Sequence, residues 1–381
     1  YIDGTTIDEI NGSFWRVGTT GANTFEIDID GTSFTPQVIT AGTAQSVYEI
    51  STTYLASEVS KLKKAPSLDE LFLVLPGLAG SFRKITRLAD DNFTIADVWT
   101  AAGLEDDDSL GAGFVGMGTW PPFAPANATS TTISWPTDSA PGVTIVLTAS
   151  AALFTTDDVG RYIRVSGGGV EESGFALVTV FNSTTSVDVV VKSRPYASSW
   201  AGALVTKNWA WTLFDDVNGW PRGIAFYEDR LFMAGAKGWL QTWCASVSGA
   251  FDNFRPYSDD GSGTGPAAVI AADSGIVNTV NSDKQNAIEW LLGHDTLFMG
   301  TRGGEFTIKG ANIEQGIQPA NLFVKKRASY GSREDVEPIA VDTVVLFIQR
   351  AGRKLKELNY DDTEERFSAP DLNRLARESL F

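Results

Sequence analysis

Four times along this chain an aspartate opens a short apolar run: Asp69-Glu-Leu-Phe-Leu-Val, Asp229-Arg-Leu-Phe-Met-Ala, Asp295-Thr-Leu-Phe-Met-Gly and Asp342-Thr-Val-Val-Leu-Phe-Ile. Three of the runs reach a glycine within a few residues, at Gly77, Gly235 and Gly300. A second strand-like segment then follows each run: Phe82 to Leu88, Trp239 to Trp243, Glu305 to Ile308 and Lys354 to Leu358. A strand–turn–strand unit that recurs in this way predicts a modular β architecture, with β-propeller blades the leading form. It also moves the functional question from catalysis toward assembly.

Composition agrees with an all-β chain. The 381 residues include 37 Gly and 11 Trp, with Thr, Val and Phe prominent and long Ala/Leu/Lys/Glu stretches scarce. A hydrophobic share of 43% is enough to bury a sizeable core, and the length suits two or three domains. The formal net charge of −17 argues against a surface that grips nucleic acid. An acidic surface instead lets DNA pass without sticking, because like charges repel. With one cysteine, Cys244, no intrachain disulfide forms and thiol-rich metal sites are excluded by count. Cys244 itself reads as a small core hydrophobe in a strand. No apolar run reaches the roughly 18 residues of a membrane span, and no signal peptide is visible. The start at Tyr1 and the helix-like stretch Asp371 to Phe381 imply a piece of a longer polypeptide.

The order of patterns divides the chain. Residues 1–50 read as a small β module, with Phe14, Val17, Phe25, Ile27 and Ile29 apolar and a turn at Asp30-Gly31. Residues 51–125 hold a strand or short helix, the first repeat, and a loop-like stretch from 99 onward that contains Glu105 to Asp108 and the Pro121, Pro122 and Pro125 cluster. Residues 126–208 form an inserted β module whose strand, short Asn/Thr turn and second strand echo the first 50 residues. Residues 209–381 return to the repeat. The expected fold is therefore a β-propeller-like body, residues 51–125 and 209–381, carrying small β-barrel or sandwich modules, one of them inserted in a blade-connecting loop.

Chemistry-bearing motifs are few. His294 is the one imidazole, so any Ser/His/Asp triad must use it. No Gly-x-Ser-x-Gly elbow accompanies it, and it reads as a turn residue. Glu105-Asp-Asp-Asp and Asp259-Asp-Gly-Ser-Gly-Thr-Gly supply oxygen ligands for a hard cation but lack EF-hand spacing, and read as solvated loops. Thr301-Arg-Gly-Gly-Glu305 reads as a hairpin turn rather than a phosphate loop. The basic clusters Lys61 to Lys64, Lys325 to Arg327 and Arg350 to Lys356 read as solvated faces, with protein or brief DNA contact as the alternative. The dense aromatics between Trp209 and Phe254 read as blade cores, with a carbohydrate platform as the alternative. Carboxylate pairs for glycoside hydrolysis are not separable among 47 acids, and no sialidase-type Asp box is present. No catalytic, cofactor-binding or metal residue is assigned, and the chain is expected not to be an enzyme.

From Asn218 onward a series of phrases appears in order: Gly219-Trp-Pro-Arg222, Phe226-Tyr-Glu-Asp-Arg-Leu231, Trp243-Cys-Ala-Ser246, Gly249-Ala-Phe-Asp-Asn-Phe254, Gln285-Asn-Ala-Ile-Glu-Trp290, Gly303-Gly-Glu-Phe306, Ala328-Ser-Tyr-Gly-Ser332, Phe347-Ile-Gln-Arg350, Lys356-Glu-Leu-Asn-Tyr-Asp361 and Ala369-Pro-Asp-Leu372. This series resembles the tail tubular protein B, or tail nozzle, family of short-tailed bacteriophages. Asp69 to Leu88 and Trp120 to Thr132 match more loosely. The resemblance implies a structural virion protein of the tail with a propeller-like body. It would form a homo-oligomeric ring, a hexamer, below the portal and a tail tubular protein A-type adaptor. The ring would line the DNA exit channel, pass genomic DNA without sequence-specific binding, and support tail fibres or spikes. The matching residues look like turns and strand cores, so no site residues and no cofactors follow from it. The alternatives are a propeller-type glycosidase or depolymerase, or a carbohydrate-binding adhesin, acting on host surface sugars.

Overall fold

The structure is a computed structural model. It describes residues 50–89, 92–99, 119–136, 139–168, 173–195, 202–259, 268–281, 286–311, 316–361 and 366–372, together with four short strands in the first 49 residues. The Glu105 to Asp108 run and most of the Asp371 to Phe381 stretch lie outside the described residues. Residues 1–53 and 89–93 form one unit, in which β1 (Ile2–Asp3) pairs with β4 (Thr43–Ala44) and β2 (Val17–Thr20) pairs with β3 (Phe25–Ile27).

The other unit is built on four-stranded antiparallel sheets. After a short helix, α1 (Ala56–Val59), the first sheet runs β5 (Lys63–Ser67), β6 (Glu70–Leu75), β7 (Ser81–Ala89) and β8 (Asn92–Asp97). A seven-stranded sheet follows, from β9 (Ile133–Trp135), β10 (Thr144–Ala149), β11 (Tyr162–Ser166), β12 (Ser173–Ser183), β13 (Ser186–Ser193), β14 (Leu204–Thr206) and β15 (Trp209–Trp211). Its spatial order is β14-β9-β10-β13-β12-β11-β15. The second four-stranded sheet is β16 (Gly223–Tyr227), β17 (Arg230–Ala234) and β18 (Thr242–Ala245). A small hairpin of β19 (Ser258–Asp259) and β20 (Ala268–Val269) precedes its outer strand, β21 (Ile276–Thr279). The third is β22 (Ile288–Gly293), β23 (Leu297–Thr301), β24 (Gly304–Lys309) and β25 (Phe323–Ala328). The fourth is β26 (Ile339–Val341), β27 (Val344–Ile348), β28 (Leu355–Asp361) and β29 (Arg366–Ser368).

Each four-stranded meander is a propeller blade, and the chain is an all-β propeller-like body carrying an inserted barrel-like sheet. First strands pack on one another, β5 on β16 and β16 on β22. The repeated phrase is the second strand of each blade, and its unbroken apolar character has a simple cause. Neighbouring side chains of a strand point to opposite faces, and here both faces are covered. Leu231 and Met233 join the core shared with the first blade, while Phe232 and Ala234 join the core shared with the third. Trp290 and Phe298 pass the third blade on to Val345, Phe347 and Leu358 of the fourth.

The recurrent aspartate is a turn residue. Two-residue hairpin loops favour turns with positive φ at their central positions, because these match strand twist. Glu228 and Asp229 have φ of 45° and 55°, Asp342 has 52°, and Leu68, just before Asp69, has 49°. The chain after the second strand docks three of the blades onto the lead-in of the next. The Trp220 N–H donates to Gly77 O at 2.8 Å, Ile288 N–H to Leu240 O at 2.9 Å, and Ser332 N–H to Thr301 O at 2.8 Å. Gly235, at φ 80°, lies where a Cβ would run into the Ile288 carbonyl. Gly235→Ala is therefore expected to destabilise the protein by about 1–2 kcal/mol or more, from backbone strain before any clash is counted. Denaturant melts read this directly, and an unchanged midpoint would show that the turn relaxes freely.

Three sequence expectations are corrected. Gly300 is not a turn residue; it sits inside β23, where the Trp290 indole occupies the space of its missing side chain. The strand expected at Trp239–Trp243 begins at Thr242, because the turn from Gly235 runs on through Trp239, whose N–H bonds to Ala236 O at 3.1 Å. Trp209–Trp211, expected in the propeller body, closes the seven-stranded sheet as β15, and Trp209 packs into that sheet's core. The free edge of β15 is taken up by the preceding chain, with Ala124 N–H to Trp211 O at 2.9 Å and Asn127 N–H to Trp209 O at 2.8 Å.

Candidate functional site

A cleft of about 360 Å³ opens where the first blade, the inserted sheet and the lead-in to the second blade meet. Arg83 and Asp97 reach it from β7 and β8, and Trp99 follows directly after β8. Asp157 and Tyr162 come from the turn before β11 and from β11 itself. Asp215, Asp216 and Trp220 come from the segment before β16.

The lining divides into fixed and available groups. Asp215 is fixed. It is buried, accepts from Arg161 Nε at 3.0 Å and Thr212 Oγ1 at 2.8 Å, and caps its own turn through the Val217 and Asn218 N–H groups at 3.0 and 2.6 Å. Arg161 completes this framework by pairing with Asp158 at 2.5 Å and lying 4.3 Å over the Trp211 ring. A carboxylate with every lone pair engaged holds architecture. Asp97 pairs with Arg83 Nε at 2.7 Å and keeps 59% of its side chain exposed. Asp216 accepts from the Trp220 indole at 3.0 Å and is exposed, as is Asp157. Trp99 and Trp220 stack at 6.2 Å between centroids with their planes 19° apart, and the Trp99 indole donates to Asp252 O at 3.0 Å. Burial pushes the Tyr162 hydroxyl up to about 12, so it stays a neutral donor in the cleft. The result is a concave surface with two half-buried indoles and three solvent-facing carboxylates from separate elements.

A second polar assembly ties the blades together. Glu289 of β22 is buried and takes Arg222 Nη1 at 2.9 Å and Arg302 Nε at 2.5 Å, while Arg302 also pairs with Glu334. The bond to Glu289 holds the Arg302 guanidinium more firmly protonated than usual. Beside it Glu305, fully buried on β24, is pushed up to about 7 by desolvation, although Tyr330 N–H and Ser332 Oγ both donate to it at 3.3 Å.

The structure spreads the residues singled out in the sequence. His294 lies in the β22–β23 turn, its N–H bonded to Thr296 O at 3.2 Å and its Nδ1 3.5 Å from the Asp295 carboxylate. Cys244 is buried in β18, and burial raises its thiol well above the usual range. Lys63 is buried and 3.7 Å from Glu337, whereas Lys325 and Lys326 lie exposed on β25. Lys354 and Lys356 both pair with Asp371. Of the aromatics between Trp209 and Phe254, Trp243 and Phe254 are core, while Trp220 lines the cleft. Among the described residues no group of three His, Cys, Asp or Glu side chains is placed to hold a metal ion. Trp99, Asp97 and Asp216 were not singled out from the sequence. The adjacent Asp215-Asp216 pair before Trp220 was the available signal, and nothing local distinguishes the structural member from the exposed one.

No family model matches the chain, and no curated protein matches it. Among solved structures it is similar to the phage phi92 endosialidase, at 9% identity and a TM-score of 0.22, over 82% of this chain and 43% of that one. It is also similar to the Cellvibrio cellulosa alpha-L-arabinanase complexed with arabinohexaose, at 11% identity and a TM-score of 0.21, over 81% of this chain and 94% of that one. This chain thus spans less than half of the endosialidase's length. The expectation that the chain is not an enzyme is corrected here, since both of these neighbours are enzymes by name. That expectation rested on the lack of short motifs, and the carboxylates that line the cleft, Asp97, Asp157 and Asp216, stand far apart in sequence.

Proposed function

We propose that this protein is a phage tail-associated propeller protein that binds and hydrolyses a polysaccharide of the host surface in the cleft between its first two blades. The observation that carries the reading is the lining of that cleft: two stacked indoles beside three exposed carboxylates. Indole faces offer apolar area to the C–H face of a sugar ring, and carboxylates accept from its hydroxyls. Glycoside hydrolysis further needs two carboxyl groups flanking the scissile bond, one as acid and one as base or nucleophile. Asp157 and Asp216 are assigned these roles, because Asp97 is paired with Arg83 and Asp215 is consumed by its turn. Reducing-end release from a panel of capsular and surface polysaccharides tests this. Asp157→Asn and Asp216→Asn are each expected to lower release by about 10²-fold or more, while Trp220→Ala mainly weakens binding. A chain that neither binds nor cleaves any glycan of the panel refutes the reading.

A second reading, the tail nozzle subunit, is favoured by the ordered series of phrases from Asn218 to Leu372, several of which fall on blade junctions such as Trp220, Ile288 and Ser332. It expects a six-fold ring, alone or with the adaptor protein, that passes DNA through an acidic lumen. Negative-stain electron microscopy with mass photometry tests it. A particle that stays monomeric or trimeric with the adaptor present rejects the ring.

A further inference from the structure

Four arginines are buried among the described residues: Arg161, Arg164, Arg230 and Arg255. A buried guanidinium needs acceptors, because desolvating an unpaired cation is costly. Two of the four show how this fold meets that need. Arg161 lies between Asp158 and Asp215. Arg230 donates to the carbonyls of Ser246 at 2.6 Å, Ser274 at 2.8 Å and Ala272 at 2.5 Å.

Arg164 and Arg255 have no such partners. They are only 8% and 7% exposed, neither guanidinium forms an ion pair or hydrogen bond among the described residues, and the Nε of each is enclosed without an acceptor there. Each rests on an aromatic face instead, Arg164 at 5.7 Å from the Phe123 centroid and Arg255 at 5.4 Å from that of Tyr257. Burial lowers the Arg164 guanidinium to about 10, with the Tyr257 hydroxyl partly offsetting it. Two more buried groups, the Ser173 and Ser193 hydroxyls, lack partners among the described residues.

The sheet register brings these groups together. Arg164 pairs across β11 and β12 with Phe175, and Phe175 pairs across to Ser193 of β13. Directly paired residues present their side chains on one face, and so do residues two apart on a strand. Arg164, Phe175 and Ser173 therefore share the face of the inserted sheet opposite to Ile163 and Val165, which fill its core, and the register shift between Val191 and Ser193 sets Ser193 across from Phe175 rather than in line with Val191. Tyr257 covers that face from the second blade, packing with Phe175 and Trp120 and donating to Ser173 O at 3.2 Å, and Arg255 lies on Tyr257.

We propose that Arg164 and Arg255, with the hydroxyls of Ser173 and Ser193, form an oxyanion site that takes one phosphate or carboxylate group at the junction of the inserted sheet and the second blade. Two guanidiniums and two hydroxyls supply the donors that such a group accepts, and the bonds are charge-assisted. The site is separate from the carboxylate-lined cleft and stands whether or not that cleft cleaves sugar.

The test uses the full chain in a non-binding buffer at constant ionic strength, with sodium chloride exchanged for sodium phosphate or sodium glucuronate. Melting temperature and calorimetric titration are the readouts. The wild type is expected to rise in Tm with a saturable dependence on at least one of the two anions, as linkage requires of a ligand that binds only the folded state. The tighter of the two identifies the source as free phosphate or an acidic sugar. Arg164→Met and Arg255→Met are expected to fold without the anion, since each removes an unpaired buried cation, and to lose the anion-dependent rise. Arg164→Lys keeps the charge but loses the forked geometry, and is expected to weaken binding at least about tenfold. A wild-type Tm that is the same in chloride, phosphate and glucuronate overturns the proposal. So does full retention of the shift in Arg164→Lys or in either Met variant.

Discussion

Trp120→Ala is expected to cost about 3–5 kcal/mol of stability, the range for deleting a large aromatic from a filled core. Trp120 is fully buried and is the centre of a small aromatic cluster with Phe123, Phe175 and Tyr257, at 6.2, 4.6 and 5.4 Å between centroids. Its position makes the loss more than local. Phe175 belongs to the inserted sheet, Tyr257 to the second blade, and the Trp120 backbone is held by Phe254 N–H at 2.8 Å and by the Asn253 side chain at 3.2 Å. The cluster is thus the joint between insert and propeller, and the variant is expected to unfold in two steps where the wild type unfolds in one. Trp120→Phe is the control. The indole N–H has no partner among the described residues, so phenylalanine loses area but no hydrogen bond, and should cost well under half as much. Urea unfolding followed by circular dichroism measures both. A loss below about 1 kcal/mol for the alanine variant would mean that the joint lies elsewhere.

The pH dependence of stability should carry the mark of Glu305. Its folded value of about 7 stands above the ordinary 4.5 because burial disfavours the carboxylate. Below the ordinary value the side chain is protonated in both folded and unfolded chains and contributes nothing. As pH rises from there to about 7, the unfolded chain sheds its proton while the folded chain keeps it, so stability falls, and above 7 the loss is complete. The full loss is of the order of 3 kcal/mol. Glu305→Gln keeps one carbonyl oxygen to accept from Tyr330 N–H, turns its amide N–H toward the Ser332 hydroxyl oxygen, and has no proton to lose. It is expected to match the wild type near pH 4.5 and to exceed it by roughly 2–3 kcal/mol at pH 8. Parallel pH–stability curves for the two proteins would show that Glu305 ionises freely in the fold.

Much of the architecture was legible because it rests on local rules. The apolar Leu231-Phe232-Met233 run announces a strand buried on both faces, and Asp229 announces the turn before it. The inserted sheet was visible as alternating Val, Thr and Asp between Val178 and Val191. What misled was close packing. Gly300 looks like a turn glycine, yet its small size serves the Trp290 ring beside it. Trp239 looks like a strand residue, yet it lies in the turn after Gly235. The cleft was not legible at all. Its indoles, Trp99 and Trp220, are separated by the whole inserted sheet, and its exposed acids come from three stretches that no short motif links. The unpartnered state of Arg164 was equally invisible, since Arg161 and Arg164 look alike in sequence and differ only in what the fold sets against them.

The stem at the foot of the inserted sheet has a consequence for how the chain finds its shape. Phe123 pairs with Thr212, and the Leu213 N–H reaches Pro122 O at 2.8 Å, so the insert leaves and rejoins the propeller at one point. A flexible segment of that length would tax the meeting of the first two blades, each doubling of a loop costing about 0.6 kcal/mol. Once the insert has folded on its own hairpins, its two ends are already side by side. The path between the first and second blades is then shortened by the whole insert, and the contact between β5 and β16, distant in sequence, becomes kinetically nearer.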